Sequence, residues 1–136
     1  MSFELHRQLT ADCFVVGDLP LCRVLLLNDS RYPWFILVPR RAGITEIHHL
    51  SVTDQQQLWA ESASFSQFLE DEFQPDKLNI AALGNMVPQL HVHHIVRYKI
   101  DDSWPAPVWG KFESVAYNEG KRDELLLRIR EKIVLQ

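Results

Sequence analysis

The chain has 136 residues, 46% of them hydrophobic and 24% charged, with a formal net charge of −4. That length suits one domain with a sizeable core, and the acidic balance excludes a non-specific nucleic-acid binder, which needs a basic field. No apolar run approaches the roughly 20 residues that span a bilayer, so neither nucleic acid nor membrane is expected as a partner.

The opening stretch MSFELHRQLTAD has no basic-then-apolar export pattern. Cys13 and Cys22 are too few for a disulfide framework. The expectation is a cytoplasmic single domain with reduced thiols. Cys13–Leu19 and Leu21–Asp29 are apolar runs separated by the turn-prone GDLP, which predicts a hairpin. Asn28–Pro33 is a polar turn. Trp34–Arg40 (WFILVPR) is a continuous apolar run, the mark of a strand covered on both faces, and Trp34 and Phe35 read as core. Arg31, Arg40 and Arg41 could meet polyphosphate charge, but a basic pair after a strand reads first as solvated, and His48 and His49 fall in a loop with no catalytic part.

Thr53 with Gln56 three positions on has the form of a capping box. Leu58, Ser62, Phe65, Leu69 and Phe73 recur at spacings of four and three, which puts one stripe of a helix against a core, and Pro75 marks its end. Lys77–Gly84 is the next predicted strand, Asn85–Pro88 a short connector and Gln89–Tyr98 the strand after it. Asp101–Asn118 is irregular. Lys121–Val134 is predicted helical, with Leu125, Leu126, Ile129, Ile133 and Val134 on an apolar face. The order of elements predicts an α+β domain with a mostly antiparallel sheet, a main helix and a C-terminal helix.

The strand QLHVHHIVRY holds three of the six histidines within four positions. Side chains alternate along a strand, so Gln89, His91 and His93 share one face and Leu90, Val92 and His94 the other. Successive residues on one face lie roughly 6.5–7 Å apart, so one phosphate can touch both His91 and His93. An unpaired polar face is costly to bury, and this one is expected to open on a polar cleft. Three readings stand side by side. The pair is a solvated surface; or it supplies two metal ligands, with a third from His48, His49 or Glu46; or it is chemical. In the last, imidazole attacks phosphorus to give a phospho-imidazole, and no Mg²⁺ is needed if imidazolium and backbone N–H groups meet the developing charge. His94 reads as a core or interface histidine, and Cys22 as a small core residue. Trp104 and Trp109, set among prolines, either wall a base pocket by stacking or pack on the C-terminal helix.

QLHVHHIVR resembles the histidine triad (HIT) family signature, His-φ-His-φ-His-φ-φ with φ hydrophobic, with Gln89 at the first triad position, His91 at the second and His93 at the third. Leu25–Arg41 resembles the family's early strand–turn–strand, Asp54–Glu61 its main helix, and Ser103–Gly110 the Trp-Pro segment that some members fold over the active site. The resemblance covers about residues 1–110, with 111–136 as a C-terminal helical extension of a single HIT-like domain. It implies a homodimer with a shared sheet that binds a purine nucleotide or dinucleotide and uses no metal or other cofactor. It further implies attack on the α-phosphorus by His91, with His93 binding phosphate oxygen and assisting the leaving group. Asn28, or else Asp29, would hold the ribose hydroxyls. The substrate would be a nucleoside phosphoramidate or dinucleoside polyphosphate. Three features depart from the pattern: Gln89 hydrogen-bonds but cannot titrate; the connector is short, leaving Gly84, Asn85 and Gln89 to replace a Gly-rich phosphate loop; and His94 stands where a hydrophobic residue is usual.

Overall fold

Residues 2–133 are described by a computed structural model of the chain. Five strands form one antiparallel sheet: β1 (Cys13–Asp18), β2 (Cys22–Leu27), β3 (Trp34–Pro39), β4 (Lys77–Ala81) and β5 (Val92–Arg97), in the order β1-β2-β3-β5-β4. The hairpin, the covered strand and the pairing of the last two strands lie where the apolar runs predict them. A register shift between Val15 and Gly17 interrupts the β1–β2 pairing. β5 lies inside the sheet, between β3 and β4, and is buried along its whole length, which explains why its sequence does not alternate between apolar and polar.

The two faces of the sheet bury separate clusters. Val24, Leu26, Phe35, Leu37, Val92 and Val96 face α2 (Val52–Phe73) and α3 (Glu119–Lys132), where Leu58, Phe65, Leu69, Leu126 and Ile129 meet them. Leu25, Trp34, Ile36, Val38 and Ile95 form the other cluster with Leu9, Tyr32, Val87 and Val108. Each fully buried side chain of this size contributes about 1.5–3 kcal/mol.

The α2 stripe is buried as its spacing predicts, apart from partly exposed Phe73. Its start differs. The cap is Ser51, whose Oγ accepts the Asp54 N–H at 3.1 Å, so Thr53 lies inside the first turn rather than capping it. Both spacings carry a Ser or Thr followed by a polar residue three positions on, and only tertiary position chooses between them. Gln74, at φ 50°, ends the helix just before Pro75. α3 begins two residues earlier than the apolar pattern suggests, because Asn118 Oδ1 accepts the Lys121 N–H at 2.8 Å. Val134 of its predicted face lies outside the described residues.

Two features leave no periodic trace in the sequence. α1 (Arg7–Asp12) is too short to show a stripe; it is held by buried Leu9 and by the Asn28 N–H, which donates to the Asp12 carbonyl at 2.9 Å. Glu61 is buried on α2, and its two oxygens accept the N–H groups of Leu21 and Cys22, each at 2.8 Å. It bolts the helix to the β1–β2 turn. The strands predicted at Lys77–Gly84 and Gln89–Tyr98 are both shorter: β4 ends at Ala81 and β5 begins at Val92, so the connector runs over residues 82–91 rather than 85–88.

Candidate active site

Register fixes what surrounds the histidines. His93 pairs with Ile36 on β3 and Ala81 on β4, and His94 with Phe35 and Ile80. Adjacent residues therefore project to opposite faces, and the His93–His94 doublet is divided as alternation requires. His91 and His93 do come together: their ring centroids are 4.9 Å apart, edge to face. Both line a cavity of about 360 Å³, between α1, β2, β3 and the β4–β5 connector. The expected polar cleft is corrected in one respect. The walls are mainly apolar, from Leu9, Leu27, Trp34, Ile36, Leu83, Met86, Val87 and Trp109, and each imidazole is only 7% exposed.

Hydrogen bonds assign the tautomers. His91 Nδ1 lies 2.7 Å from the Gln89 carbonyl, which can only accept, so Nδ1 carries a hydrogen and, in the neutral ring, Nε2 keeps the lone pair. His93 shows the reverse. The indole N–H of Trp34 donates to His93 Nδ1 at 2.9 Å, so its hydrogen sits on Nε2. One ring offers a lone pair at Nε2 and its neighbour offers an N–H. Trp34, read as core, thus also orients His93, a contact the sequence does not reveal. It packs edge-on to His93 and to Trp109 as well, and a tryptophan in an apolar run carries no mark of where its N–H will point.

The other expected site residues separate. Gly84 and Asn85 line the cavity; Gly84 has φ +78°, a left-handed conformation that favours glycine. The Gln89 side chain turns away. Its Oε1 accepts the His6 N–H at 2.8 Å and its Nε2 donates to the Glu4 carbonyl at 2.9 Å, so the amide fastens the N-terminal segment. Gln89 precedes the paired strand, so alternation does not hold it on the face of His91; it supports His91 through its backbone carbonyl instead. Asn28 and Asp29 are absent from the cavity lining. Asn28 Oδ1 accepts the Tyr117 N–H, and Asp29 Oδ1 accepts those of Arg31 and Val115. Trp104 also stands elsewhere, 5.7 Å from the Arg97 guanidinium. Of the two tryptophans left open between pocket wall and helix packing, Trp109 is the one beside the histidines, with its ring 5.1 Å from that of His93. Arg31, Arg40 and Arg41 meet protein acceptors instead of the cavity. Among the described residues no set of three His, Cys, Asp or Glu side chains is placed to hold a metal ion.

His94 is fully buried. Its Nδ1–H donates to the Val92 carbonyl at 3.1 Å, and its Nε2 accepts from the Ser62 hydroxyl at 2.8 Å. It is the satisfied core histidine that its face predicts, and it explains the serine in the apolar stripe of α2.

Burial, then proximity to His91 and His94, lowers the pKa of His93 to about 3; burial lowers that of His94 to about 4, against the effect of the Val92 carbonyl. Both rings are neutral at pH 7. The unfolded chain takes up these protons near pH 6.5, so below that value it binds more protons than the folded chain. Stability is expected in full above about pH 6.5 and to decline as pH falls, by several kcal/mol by the time the folded values are reached. Urea unfolding between pH 7 and pH 5, above the range of ordinary carboxylates, checks this. The midpoint should fall steadily, and a constant midpoint would contradict it.

Comparison with known proteins adds the following. The HIT domain profile matches residues 8–100. A histidine triad protein from Bradyrhizobium japonicum superposes with a TM-score of 0.95 at 44% identity, covering 98% of this chain and 100% of that one. One from Marinobacter aquaeolei VT8 gives a TM-score of 0.94 at 49% identity over 96% of each chain. Bis(5'-adenosyl)-triphosphatase from Saccharomyces cerevisiae is 26% identical over 102 residues, which are 67% of this chain and 49% of the yeast protein. The chain thus spans about half the length of the curated relatives it matches.

Proposed function

The chain belongs to the HIT family, and from that premise we propose that it is a nucleotide hydrolase or nucleotidyl transferase acting at an α-phosphate through a covalent nucleotidyl-His91. The observation that carries the reading is the pairing of tautomers in one cavity: His91 has its lone pair on Nε2 because Gln89 O takes Nδ1–H, and His93 presents Nε2–H because Trp34 occupies Nδ1.

His91 Nε2 attacks the α-phosphorus, and the P–N or P–O bond to the leaving group breaks with its electron pair going to the departing atom. The Nδ1–H of the resulting imidazolium stays on the Gln89 carbonyl, which offsets the new positive charge. His93 Nε2–H donates to a phosphate oxygen. Because His93 is neutral, its part in the free protein is hydrogen bonding, and the leaving group draws its proton from solvent. Water then attacks phosphorus, the N–P bond breaks with its pair returning to Nε2, and a nucleoside monophosphate and a proton leave. The substrate is a nucleoside phosphoramidate or a dinucleoside polyphosphate, with the purine against Trp109 and the apolar wall.

Incubating the purified chain with an adenosine phosphoramidate, with no metal added, tests this. Release of AMP with saturation kinetics is expected. Saturable AMP binding without release would favour a nucleotide-binding module, consistent with a first triad position whose amide is taken up by Glu4 and His6.

The assembly we propose is a homodimer. The outer edge of β4 is unpaired in the sheet order, and beside it Trp59, Ile80 and Leu83 are 64%, 45% and 51% exposed. An open strand edge flanked by apolar side chains favours pairing with a second copy. Light scattering on size-exclusion eluate should give a dimer for the wild type and a monomer for Trp59→Glu; a monomeric wild type would overturn the assembly.

A further inference from the structure

We propose that Asp12 is a specificity-determining residue, a solvent-exposed negative charge in the lining of the cavity of His91 and His93 that favours leaving groups without negative charge over polyphosphate chains. This rests on the reading of that cavity as an α-phosphate site.

The charges around the cavity decide the matter. Among the described residues its polar lining consists of Asp12, Asn85, His91 and His93, with no lysine or arginine. The cations that the sequence offers for polyphosphate are spent elsewhere. Arg31 pairs with Asp102, and Arg40 donates to the carbonyls of Leu19 and Pro20. Arg41 pairs with Asp54, and buried Arg97 with Asp101. His93 contributes no charge, because burial keeps it neutral at pH 7.

Asp12 itself has a neutral partner. Its Oδ2 accepts from Gln8 Nε2 at 2.8 Å, and among the described residues no lysine or arginine forms an ion pair with it. As the last residue of α1, Asp12 has its backbone carbonyl held by the Asn28 N–H beside the cavity it lines, and its solvent-exposed carboxylate is held by Gln8. A substrate with one charge on its α-phosphate is accommodated by the N–H of His93. Each further phosphoryl group brings another negative charge beside a carboxylate with nothing to neutralise it. At separations of roughly 7 Å from a solvent-exposed carboxylate, that costs about two- to threefold in affinity per charge. The class selected is a nucleoside phosphoramidate or another ester or amide with an uncharged leaving group.

The test is equilibrium binding by calorimetry without Mg²⁺, on wild type and Asp12→Asn. The probes are AMP and an ATP analogue with CH₂ in place of the α–β bridging oxygen, which attack at the α-phosphorus cannot split. Wild type should bind AMP roughly fivefold more tightly than the analogue, a preference that shrinks as salt is added. Asp12→Asn should narrow that ratio several-fold and keep the hydrogen bond from Gln8. Equal affinities in wild type, or a ratio that Asp12→Asn leaves unmoved, would overturn the filter while leaving the nucleotide site standing. Failure of both nucleotides to bind would reject the site itself and the filter with it.

Discussion

Replacing His91 with alanine is expected to lower kcat/KM on the order of 10⁴-fold or more, because it removes the nucleophile rather than a binding contact. The ring is buried against the cavity and held by one hydrogen bond, to the Gln89 carbonyl. Its removal leaves untouched the Gln89 amide that fastens Glu4 and His6. The variant should therefore stay folded and still bind AMP, so that kcat falls and nucleotide affinity largely survives. His93→Ala should cost less, on the order of 10²-fold, since a neutral N–H donor is lost and the attacking atom remains. If His91→Ala kept wild-type rates, the nucleophile would lie elsewhere.

The largest loss of stability is expected at Arg97. It is 1% exposed, and its guanidinium meets three partners: the carboxylate of Asp101 at 2.8 and 3.1 Å, Asn79 Oδ1 at 2.7 Å and the Ala106 carbonyl at 2.8 Å. Tyr32 and Trp104 rings stand over it at 5.7 Å. The guanidinium thus joins the end of β5 to β4 and to the irregular segment that carries Trp109. Asp101 is equally committed, accepting the N–H groups of Tyr98, Ser103 and Trp104. Arg97→Ala would leave that buried carboxylate without its counter-charge, at a cost of about 3–5 kcal/mol. Arg97→Lys should recover only part of this, because an ammonium cannot reach three acceptors in one plane. Urea unfolding measures both variants, and a loss within about 0.5 kcal/mol of zero for Arg97→Ala would contradict the role given to the residue.

How much the sequence discloses depends on the range of the interaction. Alternation and the four-and-three spacing are local, so the hairpin, the covered strand at Trp34, the stripe of α2 and the common face of His91 and His93 are all legible. Buried polar groups satisfied from distant parts of the chain are not. Nothing near Glu61 foretells that it will accept from Leu21 and Cys22, about forty residues earlier. Trp34 reads as core, and is core, yet its N–H orients a histidine 59 residues away. Trp104 and Trp109 look alike among their prolines; the buried Arg97 takes one and the cavity the other. Alternation places Gln89 on the face of His91, but pairing starts only at Val92, and the amide follows the N-terminal segment instead. Asn28 and Asp29, given to ribose by the family resemblance, are occupied by the N–H groups of Arg31, Val115 and Tyr117. The short α1, unmarked by any periodicity, brings Leu9 and Asp12 to the cavity.

The measurement that bears most directly on covalent chemistry at His91 is mass spectrometry of the wild-type chain. The chain is mixed with an adenosine phosphoramidate and quenched within turnover in alkaline denaturant, which preserves N–P bonds. Peptide mapping should place an adenylyl group on His91 and on no other residue. An adduct on His93, or rapid turnover with no adduct at any time, would contradict the account.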